Sequence, residues 1–597
     1  MSSLLPKFAG KINLIYIDPP FATGQDFSFR VRVGDEEFVK EPSIIEDKAY
    51  RDTWGRGLDS YLQMMYERLS LMRELLTEDG SIYIHIGPDI CHYIKAMMDD
   101  IFGANNFIND IVWKRTTAHG DAKQGAKHFD IVHDMILFYS KGLEYKWNTQ
   151  YTQFSDEQID QQYNKLDENG RRYRLVTPTA KKPGGDTKYE FHGVYPPEGR
   201  YWAYKKEKLE EMNKAGLLYF SSTGQPYIKY YLDERPGVSV QSLWTDIPIL
   251  APTALERVGY ATQKPESLLE RIIKVSSSKG DLVADFFCGS GTTLAVAEKL
   301  GRRWIGSDMS KWAIQVARKR LLQIEDCRPF ELLNLGNYER HKLLANGHGG
   351  FEKYVQFILE LYRAEEVSGF KMLHGKKGKA FIHVGSVDSP ITMREIRETL
   401  KESTDKNVAN KTQAGMPVPL QEKVVPLQER VVPLQEIHFL GWDFEMGLHD
   451  LVNEVGEEYG VKVRLVSIPK EALEVSNPAK EEVRFFDLNY LELAHEIKGK
   501  KVTVKLKDFI IANLEYLPEE VRDKIKKFGD YIDYWAVDWD YQGDTFHNGW
   551  QSFRTRKEPK LETTASYSYD AVGKKKILVK VVDIFGNDTT KMIEVKI

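Results

Sequence analysis

The amino-acid sequence predicts a multidomain α/β protein. Short apolar runs alternate with segments of helical spacing over residues 14–139, 265–324 and 380–466, which is typical of α/β domains. Beyond residue 502, short strand patterns separated by turns replace this alternation. We therefore expect an open α/β domain with an inserted region, then a second, small α/β domain and a C-terminal β-rich, sandwich-like domain.

Length and composition bound the class of protein. The chain has 597 residues, of which 42% are hydrophobic and 29% are charged, enough for several hydrophobic cores. No apolar run is long enough to span a membrane and the first ten residues do not form a signal peptide, so we expect a cytoplasmic protein with no membrane partner. Its three cysteines, Cys91, Cys288 and Cys327, form no CxxC pair, and we expect neither a disulfide framework nor a metal site.

In the first half, the apolar run 14–17 stops at Asp18-Pro19-Pro20-Phe21, because two prolines cannot continue a central ladder. In open α/β sheets, the ends of strands are where ligands bind. The other strands are predicted at 81–86, 131–139, 282–287 and 304–307, and the helices at 58–76, 91–102, 265–276, 292–300 and 312–324.

Composition shifts indicate the domain boundaries. Turn residues, tyrosines and lysines fill residues 113–260, which we interpret as an insertion between two halves of one domain, 1–112 and 261–330. The remaining predicted units are a helical connector at 331–372, a small α/β domain at 373–470 with a flexible insert at 402–436, and the β-rich domain at 471–597. The insert contains three copies of Pro-Leu-Gln-Glu with a seven-residue period, whose prolines exclude a coiled coil.

A glycine turn marks a candidate binding site. Phe287-Cys288-Gly289-Ser290-Gly291 follows a predicted strand and opens a helix, so backbone N–H groups can approach a ligand there. About half of such turns merely join two elements, but Asp308 ends the next strand, a position that suits ribose hydroxyls. The pair indicates a nucleoside-containing cofactor. The sequence has neither a GxGxxG nor a GKS/GKT motif here, which argues against a dinucleotide and a phosphate-binding loop.

The Asp18-Pro19-Pro20-Phe21 turn offers a different chemistry. A carboxylate and a neighbouring carbonyl can both accept hydrogen bonds from an exocyclic amine, and an aromatic ring can stack on an extruded base. The alternative is an ordinary proline turn after a strand.

Together these motifs resemble those of amino-methylating DNA methyltransferases, in the permuted β-class order in which the DPPY-type motif comes first. Thr262-Gln263-Lys264-Pro265 is similar to the second donor-binding segment of that family. Asp52-Thr53-Trp54, residues 57–62 and residues 80–86 particularly resemble the modification subunits of type III restriction systems. The resemblance covers residues 10–328.

This resemblance implies a Rossmann-like methyltransferase domain whose insert is a target recognition domain. It implies methyl transfer from S-adenosylmethionine to adenine N6, with cytosine N4 as the alternative, because cytosine-specific members more often carry serine at the position of Asp18. Other readings are an RNA or protein substrate, or a catalytically impaired DNA-recognition subunit. Double-stranded DNA, a helicase-nuclease restriction subunit and a second copy of the chain are the expected partners.

The resemblance also assigns residues. The catalytic candidates are Asp18, Pro19, Pro20 and Phe21. The cofactor-binding candidates are Thr262, Lys264, Pro265, Asp285, Phe287, Gly289, Gly291 and Asp308. Residues 171–208 carry ten basic and four acidic side chains, a net +6, which alone would usually be a solvated face but in a recognition domain favours phosphate contacts. The DNA-binding candidates are Arg171, Arg172, Lys181, Lys182, Arg200 and Lys205.

Three further expectations concern single features. His85, at the end of a central strand, is predicted to be a hydrogen-bonded core residue, and Cys288 is predicted to have no catalytic role. The methyltransferase sheet also needs a strand that in this order would precede Met1 or follow Arg328, and neither place shows one. We therefore expect the chain to lack an N-terminal segment of some tens of residues; a seven-stranded sheet built from these residues alone would contradict this.

Overall fold

The computed structural model describes most of the chain. The described residues are 1–20, 58–116, 127, 129–181, 187–251, 253–260, 262–333, 351–387, 389–413, 435–445, 448–469, 472, 483, 485–511, 522, 525, 527–543, 545–553, 560–584 and 586–597, and the two strands of a hairpin, Phe29–Val33 and Glu36–Lys40. None of the described helices is both long and apolar enough to cross a membrane.

A seven-stranded sheet lies at the centre of the first half. In chain order its strands are β1 (Ile12–Ile17), β2 (Leu76–Ile86), β3 (Phe107–Lys114), β4 (His133–Ser140), β5 (Leu243–Trp244), β6 (Leu282–Asp285) and β7 (Arg303–Gly306). Across the sheet the order is β5-β3-β4-β2-β1-β6-β7. Within these seven, β4 runs antiparallel to both neighbours and the other six strands run in one direction. The carboxyl ends of those six therefore lie at one edge.

Helices cover both faces of this sheet, which explains why β1 is apolar on both faces. Ile15 and Ile17 pack with the helices Leu58–Leu75 and Pro88–Met98. Leu14 and Tyr16 face the opposite way and pack with the helix Glu266–Ser276. The remaining helices of this half are Leu5–Phe8, Thr292–Lys299 and Lys311–Leu322, with short turns at Ser2–Leu4, Asp99–Gly103 and Ala104–Asn106.

The strand count differs from the one we expected. All seven strands come from this chain, so the prediction that the sheet lacks one strand is wrong. The sequence pattern missed β3 and also the two-residue strand β5, which lies at the edge far from β7. No described residue pairs with the outer side of β7. Because β4 and β5 belong to this sheet, the sheet reaches further into residues 113–260 than predicted.

Residues 141–242 form a compact addition to the sheet. A four-stranded antiparallel sheet contains Leu218–Phe220, Pro226–Tyr231, Arg172–Val176 and Lys165–Leu166. Its core is made by Phe191, Trp202, Leu209, Leu218 and Ile228. The helices are Asp156–Gln162 and Lys206–Lys214, and two small ladders join Tyr151–Thr152 to Val238–Ser239 and Thr179–Ala180 to Tyr201–Trp202.

A second α/β unit follows. Its six-stranded sheet contains Glu365–Glu366, Gly375–Lys377, Ala380–Val384, Gln435–Gly441, Val461–Ser467 and Phe486–Asp487, and its helices are Phe351–Tyr362, Met393–Gln413 and Leu448–Glu458. The helix Phe351–Tyr362 packs into the core of this unit, so it is part of the unit and not a connector. The helix Met393–Gln413 continues through the first part of the predicted flexible insert 402–436. Of the three proline repeats, the described residues include the last two residues, Gln435 and Glu436, which begin the strand Gln435–Gly441; the rest lie outside the described residues.

The last unit consists of two sheets that share one core. One sheet contains Tyr490–Lys498, Lys501–Ile510 and Thr564–Ser568; the other contains Trp550–Phe553, Ile532–Asp538, Lys574–Asp583 and Asp588–Lys596. A short turn, Phe528–Tyr531, precedes Ile532. We call residues 490–597 the C-terminal two-sheet unit. Its core also includes Trp312, Ala313 and Val316 of the helix Lys311–Leu322, and Lys319 Nζ lies 2.9 Å from Asp533 Oδ1.

Candidate active site at the carboxyl edge of the central sheet

The two motifs predicted to act together lie on neighbouring strands. β1 pairs with β6 in parallel, with Ile15 opposite Ala284, so continuing this register places Asp18 beside Phe287. On its other side β1 pairs with β2, with Ile17 opposite Ile84, which places Asp18 beside His85. Because these strands are parallel, the Asp18 turn and the glycine turn emerge at the same edge of the sheet. Two segments about 270 residues apart in the sequence are thus brought to neighbouring positions.

The glycine turn is held in a conformation that requires its glycines. Gly291 has φ of +72°, and a Cβ there would lie 2.7 Å from Ala317 Cβ. Gly289 has φ of +46° and packs against the Tyr260 ring, 3.2 Å from where a Cβ would be. The Gly291 N–H donates to the Cys288 carbonyl at 2.7 Å, which closes the turn. The turn therefore presents bare backbone at the start of the helix Thr292–Lys299.

Asp285 supports this turn from below. Its carboxyl is 2% exposed and accepts hydrogen bonds from Thr293 Oγ1 at 2.5 Å and from the Phe287 N–H at 3.0 Å. Burial raises the pKa of Asp285 to about 7, and the charges of Asp18 and Asp308 act in the same direction. We predicted Asp285 as a cofactor-binding residue; the structure places it beneath the turn, where it fixes the turn's shape.

Asp308 lies beside the glycine turn, as its position after β7 predicts. Its carboxylate accepts the Gly289 N–H at 2.9 Å and the Ser310 N–H at 2.9 Å, so its orientation is fixed. A fixed carboxylate beside the glycine turn can accept hydrogen bonds from vicinal hydroxyls. This acceptor, placed where the turn opens the helix Thr292–Lys299, fits a nucleoside-containing ligand.

Lys264 forms a contact that the sequence did not reveal. Its ammonium donates a hydrogen bond to Asp18 Oδ2, and the two side chains are 14% and 17% exposed. The Lys264 carbonyl accepts a weaker bond from Thr292 Oγ1 at 3.4 Å, so the same residue also lies next to the glycine turn. A charged pair at this degree of burial orients both groups. The segment predicted to bind the methyl donor thus also holds the candidate catalytic carboxylate.

A buried polar chain lies beneath Asp18. Tyr16 Oη is 2.8 Å from His85 Nδ1, and His85 Nε2 is 3.1 Å from Asp134 Oδ2. Although burial pushes the pKa of Asp134 upward, the bond from His85 and the charges of His85, Arg115 and Lys264 lower it below its ordinary value. Burial raises the pKa of Tyr16 well above 10, helped by Asp18, Asp285 and Asp134. The ionised Asp134 can only accept, so His85 Nε2 donates to it, and the Tyr16 hydroxyl and Nδ1 share the second hydrogen bond of the ring.

These hydrogen bonds confirm that His85 is a core residue: its side chain is 0% exposed, and both ring nitrogens are hydrogen-bonded. Asp134 was not predicted; its place near the start of β4, two residues before the one opposite His85, is the signal that could have pointed to it. Burial also raises the pKa of Cys288 well above 9, helped by the charges of Asp308 and Asp285. A neutral, buried thiol is a poor nucleophile, in agreement with the prediction that Cys288 is not catalytic.

The other predicted residues of this site are placed as follows. Pro19 is buried and Pro20 is partly buried at the end of β1, and Phe21 lies outside the described residues. Pro265 is buried and caps the helix Glu266–Ser276, whereas Thr262 is exposed. Across the described part of the chain, no group of three or more His, Cys, Asp or Glu side chains could hold a metal ion.

The predicted DNA-binding residues are not equivalent in the structure. Arg171 is paired with Asp233 and Glu234, and Arg172 is paired with Asp160. Arg200 donates to the Thr179 hydroxyl at 2.7 Å and to its carbonyl at 3.0 Å. Lys181 and Lys205 are exposed, and Lys182 lies outside the described residues. Acidic residues beyond 171–208 therefore neutralise part of the +6 charge.

Comparison with known proteins supports one family. A family described as DNA methylase, of the N6/N4 type, matches residues 12–319. The chain is 37% identical over 313 residues to the type II methyltransferase M.EcaI of Enterobacter cloacae, covering 52% of this chain and 64% of that protein. It is 29% identical over 316 residues to the StyLTI Mod subunit, a type III restriction-modification enzyme of Salmonella typhimurium, covering 48% and 46%.

A solved structure of M1.HpyAVI with SAM is 17% identical, covers 54% of this chain and 96% of its own, and has a TM-score of 0.27. The chain spans between about half and two thirds of the length of the two curated relatives named above. The family match covers slightly more than half of the chain and includes β1, the glycine turn and Asp308. The protein therefore belongs to the N6/N4 family of DNA methylases.

Proposed function

We propose that this protein is an S-adenosylmethionine-dependent DNA methyltransferase that modifies an exocyclic base amine. One observation carries the proposal: the Asp18 turn and the glycine turn emerge from adjacent parallel strands at one edge of the sheet. An amine held at the first turn and a methyl donor held at the second are then brought together, which supplies the proximity that a two-reactant transfer needs.

The donor side is built from the glycine turn and Asp308. Asp308, held by the Gly289 and Ser310 N–H groups, accepts hydrogen bonds from the ribose hydroxyls. The backbone of Gly289 and Gly291 and the side chain of Phe287 shape the pocket wall. S-adenosylmethionine, when bound there, supplies a methyl group activated by its sulfonium charge.

The acceptor side is built from Asp18 and Lys264. Lys264 holds Asp18 Oδ2, and Oδ1 together with the Pro19 carbonyl accepts the two N–H bonds of the target amine. These bonds orient the amine nitrogen and increase its electron density. As the nitrogen–carbon bond forms, the bond from the methyl carbon to the donor sulfur breaks and its electron pair stays on sulfur. One amine proton must also leave, and the Asp18 carboxylate is the acceptor already hydrogen-bonded to it. No covalent intermediate with the protein is required.

The buried chain below the site positions Asp18. Tyr16 lies two residues before Asp18 on the same strand, and its hydroxyl is fixed by His85, which is fixed in turn by Asp134. Such a fully bonded network restricts the strand end more than apolar packing alone, since breaking any link leaves a buried polar group unpaired. Tyr16, His85 and Asp134 are therefore positioning residues.

We propose adenine N6 as the target, with cytosine N4 as the alternative. The support is the acidic residue Asp18 at the head of the motif, where cytosine-specific family members more often have serine. The substrate is duplex DNA, which must release the target base from its stack at a cost of a few kcal/mol. The name of one relative, the Mod subunit of a type III restriction-modification enzyme, supports a role in a restriction-modification system. We further propose a helicase-nuclease subunit or a second copy as its partner, and the cytoplasm as its location.

The test is a transfer assay followed by analysis of the modified nucleosides. The full chain is incubated with labelled S-adenosylmethionine and either duplex DNA or RNA of the same sequence. We expect label in DNA, as N6-methyladenine, and its loss in Asp18→Ala but not in the surface variant Asp570→Asn. Label as N4-methylcytosine would correct the target, and label in RNA would overturn the substrate. Absence of donor binding in calorimetry would favour a DNA-recognition subunit without activity.

A further inference from the structure

A cavity of about 320 Å³ lies in the inserted region, away from the sheet edge just described. Its wall is formed by the helix Asp156–Gln162 and the strand Arg172–Val176, and its floor by the ladder between Tyr151–Thr152 and Val238–Ser239. Gly237 fixes this floor, because a Cβ there would lie 2.1 Å from the Thr152 carbonyl oxygen. The cavity is thus built by the backbone rather than by a chance gap between side chains.

Two buried polar atoms at this cavity have no partner among the described residues. They are the hydroxyl of Tyr163, whose residue is 1% exposed, and Nε of Arg174. Leaving a buried polar group unbonded costs about 1–3 kcal/mol, so two at one cavity call for an explanation. A ligand with acceptor oxygens would bond both donors.

The positive charge of the cavity lining favours an anionic ligand. Arg174 and Arg235 line it, and none of its lining residues is acidic. Arg174 Nη1 is held by Gln162 Oε1 at 3.0 Å, and the Arg235 guanidinium stacks 3.9 Å from the centre of the Tyr230 ring. Gln162 and the Tyr230 ring thus hold the two guanidinium groups, and within the described part of the chain neither has a carboxylate partner in an ion pair. Arg171 and Arg172, by contrast, have carboxylate partners.

We propose that this cavity binds a backbone phosphate of the DNA, through Arg174, Arg235 and the Tyr163 hydroxyl. Fixed, unneutralised arginines are the preferred ligands of phosphate oxygens. Tyr151, 47% exposed at the rim, can contact the adjoining sugar or base. The inference rests on the proposed function, since it names where the insert holds the substrate, and it moves the phosphate contact away from the residues that the sequence alone favoured.

The test measures binding of a labelled duplex of mixed sequence to the full chain by fluorescence anisotropy over a salt series. Tyr163→Phe removes only the unpartnered hydroxyl, so it should leave thermal stability unchanged or slightly higher while weakening DNA binding several-fold. Arg235→Gln should weaken binding and lower the slope of log K against log salt by about one. Arg172→Gln, which removes the same charge from a paired residue, should change both much less.

A second control distinguishes a loss of DNA binding at the cavity from a general loss of stability. Tyr189→Phe deletes a hydroxyl that donates to the Tyr204 carbonyl at 2.8 Å, so it should reduce stability without changing the salt slope. Calorimetry with inorganic phosphate alone forms the second arm. Phosphate binding that Arg174→Gln abolishes, with DNA binding unchanged, would assign the cavity to free phosphate and overturn the proposal.

Unchanged DNA affinity in Tyr163→Phe and Arg235→Gln, in folded protein, would also overturn it. This result is distinct from failure of the proposed function. If the wild-type chain binds no DNA, the proposed function and this inference both fall. If it binds and methylates DNA with the variants unaffected, only this inference does.

Discussion

Replacing Gly291 by alanine should destabilise the start of the helix Thr292–Lys299 and weaken donor binding. The new Cβ would lie 2.7 Å from Ala317 Cβ and 2.9 Å from Ala317 Cα, contacts that require the two helices to move apart. Holding an alanine at φ of +72° costs about 1–2 kcal/mol, and overpacking adds about 1–3 kcal/mol. Alanine also lowers the conformational entropy of the unfolded chain, which offsets about 0.4–1 kcal/mol and leaves a net loss of stability of about 1–5 kcal/mol.

Gly301 supplies the matched control. It has the same φ of +72°, but a Cβ there meets only the flexible side chain of Lys279, at 3.2 Å. Gly301→Ala therefore carries the backbone cost without the collision. We expect Gly291→Ala to exceed Gly301→Ala by about 1–3 kcal/mol, the overpacking part of the estimate.

The assay should report local stability, because a chain with several units does not unfold in one step. Native-state hydrogen exchange of the amides in Thr292–Lys299 gives the free energy of opening of this segment, and calorimetry gives the dissociation constant of S-adenosylmethionine. Gly291→Ala should raise that constant at least several-fold, whereas Gly301→Ala should leave it nearly unchanged. Equal effects of the two substitutions would refute the argument that the approach of Ala317 sets the shape of the turn.

The remaining predictions concern charged and polar groups of the site. Asp18→Asn should lower methyl transfer roughly 10²-fold, because the bond to an ionised acceptor is lost, with donor affinity from calorimetry changed less than about threefold; near-normal transfer would contradict the assigned role. Burial raises the pKa of Asp285 to about 7 from its ordinary 3.8, so the stability it contributes is present below pH 3.8 and is lost as pH rises through 7. Hydrogen exchange of the amides in Thr292–Lys299 should therefore show the free energy of opening of the wild type falling relative to that of Asp285→Asn between about pH 4 and 7, and parallel pH profiles would count against a buried protonated carboxyl. His85→Ala should lower the local free energy of opening by about 2–5 kcal/mol, because a buried ring is removed and Asp134 keeps its ion pair with Arg115 but loses the bond from His85. Tyr16→Phe should cost about 1–2 kcal/mol, and equal losses in hydrogen exchange of the β1 and β2 amides would contradict this difference.

Much of the central sheet could be predicted from the sequence, because strands that are buried on both faces are continuous apolar runs. β1 and β6 were predicted in this way, and the proline pair and the glycines located their ends. β5 was not, since two residues carry no periodic signal. β3 was missed because its first half is partly exposed and polar, so its pattern resembles the insert that follows.

The sequence predicted those parts of the candidate site whose functional residues are adjacent in the chain. The Asp18 turn, the glycine turn and Asp308 each belong to a local pattern. The pairing of Lys264 with Asp18 and the chain from Tyr16 to Asp134 depend on which strands become neighbours, and no spacing in the sequence encodes that. The net charge of the run 171–208 could not be judged from the run for the same reason: the carboxylates that pair with Arg171 and Arg172 lie outside it.

The C-terminal two-sheet unit cannot be separated from the donor side of the site, because one helix belongs to both. Ala317 of the helix Lys311–Leu322 contacts Gly291, while Trp312 and Val316 are buried in the core of the two-sheet unit together with Tyr260. Tyr260 in turn packs against Gly289. Close-packed side chains transmit displacement rather than absorb it, so a shift of the two-sheet unit would move the helix and the tyrosine that border the glycine turn. A unit with no chemical motif of its own thereby acquires a physical role, which is to fix the geometry of the donor pocket from behind.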